Sequence, residues 1–175
     1  MTALIPASGT RSLRLESLVN TVSLSATFQR LVGAGNPTAA LPSIHRGLAL
    51  DDGSMPFPRA IVRSHGTQTN DRYGPDNWIG KGEMTVFVQY LYLTDAQLLA
   101  WYSHGSGTPT AEDHRQHMEN LFGSIGDEMR AQAVTAGCLE FTRLEEYSCG
   151  FIDPVTENGE QLVELVFQLH RDGLP

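Results

Sequence analysis

The stretch TAEDHRQHMENLFGSIGDEMRAQA, residues 110–133, reads as one amphipathic helix. Met118, Leu121, Phe122, Ile125 and Met129 recur at the spacing of a single helical face, while Asp113, Arg115, Gln116, Glu119, Asn120, Asp127, Glu128 and Arg130 take the remaining positions. Thr110 with Asp113 has the pattern of a capping box, and Glu112 and Asp113 suit the positive end of the helix dipole. A helix with such a stripe needs an apolar surface to lie on. The β-like runs on either side, 84–93 before it and 162–171 after it, are the natural partners. The expected fold class is α+β: a mostly antiparallel β-sheet packed by one long and one or two short helices.

Both flanking runs support that reading. In MTVFVQYLYL, Val86, Val88, Tyr90 and Tyr92 alternate with Phe87, Gln89, Leu91 and Leu93, so both faces are apolar and the run predicts a central strand. In QLVELVFQLHR, Val163, Leu165, Phe167 and Leu169 alternate with Glu164, Val166, Gln168 and His170, the pattern of a half-buried antiparallel strand. Between the first strand and the long helix, Thr94 with Gln97 marks the start of a short helix whose inward face is Leu98, Leu99 and Trp101. SHGSGTP then reads as a flexible spacer. After the long helix, 139–152 is broadly extended, with a break expected at Glu145 and Glu146, and DPVTENGE, 153–160, is a turn or hairpin tip.

Further towards the N-terminus, 12–22 is a helix candidate with Leu15, Leu18, Val19 and Val22 on one face. Ala26, Phe28, Leu31 and Val32 form a second short turn closed by Gly33, and Asn36 caps a turn through Pro37 and Ala40. From Ile44 to Pro58 the pattern is irregular, and DDGSMPFP reads as a loop. PRAIVR, 58–63, is a short strand. The polar segment GTQTNDRYGPDNWIGKG, 66–82, is too long for a turn and predicts a functional loop or an extended arm. Tyr73 and Trp78 within it suit a contact surface, although Trp78 would serve equally as a lid on the core. The organisation is one domain over 1–175: a helical segment over about 12–40, an α+β core over about 58–172, and the arm at 66–82.

With 175 residues the chain is long enough to bury a continuous core without covalent staples. Cys138 and Cys149, with ten residues between them in one extended segment, make no disulfide framework and predict a reduced intracellular setting. MTALIPASGTRSLRLES has no apolar core of signal-peptide length and no run approaches a membrane span, so the sequence predicts a soluble protein. Twenty acidic residues against twelve basic ones give a net charge of −8, which disfavours nonspecific binding to nucleic acid. Lys81 is the only lysine.

The candidate chemistry is sparse. His114 and His117 stand three apart on the long helix and His104 lies in the loop before it, but no third ligand is set by spacing and the HExxH pattern is absent, so these read as solvated surface side chains. Ser106 in HGSG lacks the glycine two residues ahead that a nucleophile elbow requires, because position 104 is histidine. Gly105 and Gly107 lack the Gly-Lys-Ser/Thr ending of a phosphate loop. Asp51 with Asp52, and Glu145 with Glu146, are adjacent in sequence and point to opposite sides of an extended backbone. No catalytic residue, cofactor site or metal site is assigned, and the expectation is a protein that is not an enzyme.

The order of these features resembles the tail terminator proteins of long-tailed bacteriophages and the related tail-completion and neck proteins. The resemblance lies in the N-terminal helix, the PRAIVR strand, the arm leading into GEMTVFVQYLYL, the helix containing FGSIGDEM, and the closing strands around DPVTENGEQLVELVFQLHR, and it spans most of 10–172. It implies an antiparallel sheet packed by helices and several copies, commonly a hexamer, in a ring. Such a ring caps the tail tube, ends tail polymerisation and joins the tail to the head connector. The implied partners are further copies of the chain, the tail tube protein and the head–tail connector or adaptor. DNA passes through without sequence-specific binding, and the location is the virion, assembled in the host cytoplasm. Within the arm, Arg72, Tyr73, Asn77 and Trp78 are the expected interface residues. The alternatives are a head-completion or minor capsid subunit, a small metal-dependent hydrolase using His104, His114 and His117, and a ligand-binding domain without catalysis.

Overall fold

The structure is a computed structural model that describes residues 10–46, 56–64, 83–135, 143–152 and 160–170. In chain order the elements are α1 (Thr10–Ser23), α2 (Ala26–Leu31), α3 (Pro37–Ala40), a 3₁₀ turn (Leu41–Ser43), β1 (Ile44–Arg46), β2 (Arg59–Ser64), β3 (Glu83–Leu91), α4 (Asp95–Trp101), α5 (Ala111–Thr135), β4 (Arg143–Ile152) and β5 (Leu162–His170). The fold class is α+β, with one mixed, mostly antiparallel sheet.

Local chemistry sets the helix boundaries. Ser25 caps α2 by accepting from the Phe28 amide at 3.0 Å, and Gly33, at φ +70°, lets the chain turn away after it. Asn36 caps α3 by accepting from the Ala39 amide at 2.9 Å, ahead of Pro37 at the first helical position. Thr94 and Gln97 form the full capping box of α4. Thr110 and Asp113 do the same for α5: the Thr110 amide donates to Asp113 Oδ2 at 2.7 Å and the Asp113 amide to Thr110 Oγ1 at 3.2 Å.

The strand order is β1-β2-β3-β5-β4. β3 pairs antiparallel with β2 and with β5, β5 pairs antiparallel with β4, and β1 lies parallel to β2. β3 is therefore central, as its two apolar faces predict. β1 is a correction: Ile44–Arg46 falls in the stretch read as irregular. A three-residue strand shows no alternation to detect, and its side chains run from buried to exposed. β4 is a second. It runs unbroken through Glu145 and Glu146, and the irregularity is a bulge between Glu146 and Ser148. The turn expected at 153–160 falls almost wholly outside the described residues.

One face of the sheet carries the helices. Met84, Val86, Val88 and Tyr90 of β3 and Val163, Leu165, Phe167 and Leu169 of β5 pack with Leu18, Val19 and Val22 of α1, Phe28 of α2, and Leu121, Ile125 and Met129 of α5. Phe122 and Phe167 meet with ring centroids 5.0 Å apart. Each fully buried aliphatic side chain in this layer contributes about 2 kcal/mol by removal from water. Glu128 of α5 then ties two helices together: its carboxylate accepts from Ser25 Oγ at 2.6 Å, the Thr27 amide at 2.9 Å and Thr27 Oγ1 at 2.8 Å. A negative group thus sits at the N-terminus of α2, where orphan amides need an acceptor. Two residues earlier on the same helix, a Cβ at position 126 would press on the Glu146 side chain of β4, which would have to shift.

The opposite face is mixed. Arg59, Gln89 and Glu164 stand in register on β2, β3 and β5, and Arg59 Nε donates to Gln89 Oε1 at 2.8 Å while Gln89 Nε2 donates to Glu164 Oε2 at 2.7 Å. Beside this polar ladder, Ile61, Thr85, Leu162 and Val166 are buried. β5 is thus more covered than the half-buried strand read from its alternation, with Val166 only 7% exposed on its polar-looking face.

Candidate functional site

The four residues expected at an interface, Arg72, Tyr73, Asn77 and Trp78, lie outside the described residues, as does the whole of the 66–82 arm. The side chains that chemistry can be argued from lie between α4 and α5. The connection between these helices turns sharply at Ser103, a non-glycine residue at φ 58°, and again at Gly107, at φ 148°. It leaves an open groove of about 340 Å³, with Leu98, Leu99 and Pro109 on an apolar side and Tyr102, Gln116 and Asn120 on a polar one.

The histidines of α5 are buried, which corrects their reading as solvated surface groups. His114 is 7% exposed and His117 is 2% exposed. The reason is that the apolar stripe continues N-terminally beyond Met118: positions 114, 117, 121 and 125 lie on one face, and α4 packs over its first turns. His114 Nε2 lies 2.8 Å from Asp95 Oδ1 at the start of α4, and its ring stacks on Tyr92 with centroids 4.8 Å apart. Tyr92 in turn meets the edge of Phe151 on β4.

His117 is held by a hydrogen-bond relay. Gln116 Nε2 donates to Asn120 Oδ1 at 3.0 Å, Asn120 Nδ2 donates to Tyr102 Oη at 3.3 Å, and Tyr102 Oη lies 3.1 Å from His117 Nδ1. A phenol oxygen that already accepts from an amide is set to give its own proton to Nδ1, which assigns the imidazole proton to Nε2. That nitrogen is buried without a hydrogen-bond partner, with the Trp101 ring edge-on at 5.3 Å. Burial first, then His114 and Arg30, pushes the His117 imidazole down to about 4. Arg30 stacks on Trp101 at 4.1 Å and donates to the Trp101 carbonyl, so α2 braces this corner from behind.

This arrangement suits packing more than proton transfer. His117 is neutral at pH 7 and far too weak a base to act there. Asp113 is lowered by its hydrogen bonds from Thr110, so its carboxylate stays ionised and serves as a cap. Ser106 is exposed in the loop. Among the described residues, no three His, Cys, Asp or Glu side chains come together as metal ligands, so the three imidazoles do not share a centre. Cys149 is a free thiol, raised by burial and by Glu119.

The sheet edges offer the other surface. β4 presents Tyr147, 64% exposed, at its bulge and Phe151, 49% exposed, four residues further on. At the other end of the sheet, β1 presents His45 and Arg46, with Arg46 in a 3.6 Å pair with Glu16. Among the described residues no helix is long and apolar enough to cross a membrane. No protein-family model and no curated protein matches this chain. Sequence reasoning missed the β1 edge altogether. It treated β4 as a broken segment, yet Tyr147 and Phe151 were legible as two aromatics beside an acidic pair in an extended run.

Proposed function

We propose that the protein is a structural subunit of a bacteriophage neck, forming a ring that caps the tail tube, ends tail polymerisation and joins the tail to the head connector. The observation that carries this reading is the pair of unlike sheet edges. A ten-residue outer strand with two exposed aromatics is a surface built to associate, since an open edge leaves unpaired amides and carbonyls in a row. The opposite edge is short and different in charge, so it does not repeat the same patch. Contact between unlike patches is head-to-tail, and a head-to-tail contact makes a ring when its rotation closes. The α+β layout with helices on one face agrees with the neck-protein resemblance.

In this reading the arm reaches a neighbouring copy or the tube. Replacing Tyr73 and Trp78 together with Ala should weaken ring assembly while leaving the far-ultraviolet circular dichroism and the unfolding midpoint of the monomer unchanged; intact rings from that variant would remove the arm from the interface. The net charge of −8 suits a channel wall that repels phosphate and lets a duplex slide.

The deciding experiment is native mass spectrometry or light scattering of the purified protein, with negative-stain images of the same sample. Rings in solution, or monomers that form rings on tail tubes, are the expected result. A monomer that carries stoichiometric zinc and ignores tail tubes would overturn the proposal. Co-purification with head shells and not with tails would replace the terminator role with a head-completion one.

A further inference from the structure

The two ends of α4 are held differently. Its start is anchored: the Tyr92 amide just before it donates to the Gln161 carbonyl at 2.8 Å, and Asp95 meets His114. Leu98, 3% exposed, pins its middle. Beyond Trp101 the chain leaves the core, and residues 103–108 are all exposed. Side chains hold this end: Tyr102 on His117, the Trp101 ring edge-on to the same imidazole, and Arg30, which stacks on Trp101 and donates to its carbonyl. Two of these contacts depend on His117.

The site suits only the neutral imidazole. With Nδ1 accepting from Tyr102, the proton on Nε2 is already buried without an acceptor. A second proton goes on Nδ1, takes away the acceptor of the Tyr102 hydroxyl and puts a full charge beside that orphan N–H. The charged groups that act on the imidazole, His114 of α5 and Arg30 of α2, have the wrong sign to compensate it. Asp113 is engaged by Thr110 and Asp95 by His114, His104 is exposed on the turn, and the Tyr90 phenol of β3, near Tyr102, is kept neutral by burial. Water is close at hand, because His117 and Tyr102 both line the groove between α4 and α5. Moving the end of α4 aside is enough to hydrate the ring.

We propose that the end of α4 and the turn after it, residues 101–109, form a latch that swings off α5 about the anchored start of the helix when His117 takes up a second proton, widening the groove while the sheet stays folded. The start holds in acid, since a protonated His114 keeps its Nε2 proton on the Asp95 carboxylate. Burial first, then His114 and Arg30, pushes the closed imidazole down to about 4, whereas a hydrated one titrates near 6.5. The latch is therefore fully closed above pH 6.5 and is released progressively as the pH falls towards 4.

Native-state hydrogen exchange of the full-length protein tests it, read by mass spectrometry of fragments spanning 98–104 at several low urea concentrations, each rate divided by the intrinsic rate at the same pH. The reporters are the amides of Tyr102, Ser103 and His104, which donate to the carbonyls of Leu98, Ala100 and Leu99. Between pH 7.5 and pH 5.0 their protection should fall at least about tenfold, and low urea should leave it unchanged, because a latch that opens alone exposes little new surface. β3 and β5 should keep higher protection and respond to urea. His117→Phe, which keeps a flat ring, and His117→Asn, which keeps an acceptor for Tyr102, should each remove the pH step at the reporters. A step that survives in both variants overturns the latch, and so does reporter exchange that follows β3 and β5 in its urea response. Absence of any step in the unmodified protein overturns it as well.

Discussion

His117 makes the stability of this protein depend on pH through a charge the fold refuses to accept. In the unfolded chain an imidazole takes a proton below about 6.5, whereas here the side chain takes one only near 4. Between those values the unfolded state holds more protons, so acid draws the equilibrium towards it. The stabilisation is complete above pH 6.5 and disappears as the pH falls to about 4, with an upper bound of about 3 kcal/mol for the whole shift. Urea unfolding at pH 7.5 and pH 4.5 should show a smaller loss in His117→Phe than in the unmodified protein; equal losses would mean that this imidazole is not the group responsible. Glu128 is instead an acceptor that the fold uses. Glu128→Ala removes the acceptor for two hydroxyls and one amide at the start of α2 and should cost about 2 kcal/mol. Glu128→Gln keeps an acceptor oxygen and should cost less, which denaturant midpoints of the two variants will rank.

At the scale of elements, α5 carries two glycines three residues apart whose roles differ. A Cβ at Gly123 meets nothing within 4 Å, so Gly123→Ala gains helix propensity and should stabilise by about 0.5–1 kcal/mol. At Gly126 the same change pushes against Glu146, whose carboxylate is held by Arg130 at 2.7 Å. Gly126→Ala should therefore gain nothing or lose stability, and thermal midpoints measured side by side give the sign. This helix also marks where the sequence was legible. Its capping box and its stripe follow from spacing, as do α4 and the centrality of β3; its close approach to β4, where Arg130 meets Glu146, does not, since 84–93 and 162–171 are the partners that spacing predicts. The burial of His114 and His117 did not follow, because a polar residue type outweighed a position that continues the stripe; their partners, Asp95 and Tyr102, come from a different helix and its adjoining turn, which no periodicity within α5 reveals. β1 was illegible for a related reason, since its structure is specified by pairing with β2 and not by its own three residues.

At the scale of the whole molecule, one layer of helices on one five-stranded sheet leaves the protection of the strands graded. Amides of β3 and β5, flanked on both sides, should exchange slowest with deuterium, and outward amides of β1 and β4 fastest. Mass-resolved exchange on monomer and ring should then show new protection in the outer strands β1 and β4 in the ring. Unchanged rates in both segments would place the subunit contact elsewhere.

The position of β5 has a further consequence, for the order of events during synthesis. It is the last of the five strands to be made, yet it lies between β3 and β4. Until residues 162–170 have emerged from the ribosome, β3 lacks one neighbour and β4 has none within the sheet. The nascent chain therefore displays apolar β3 with one edge open, an unpaired β4 and the underside of α5 at once, in a crowded cell where other copies are being translated nearby. A subunit meant to add edge-to-edge to its own kind would be at greatest risk then, and the arrival of a single nine-residue strand ends that exposure by completing the sheet in one step.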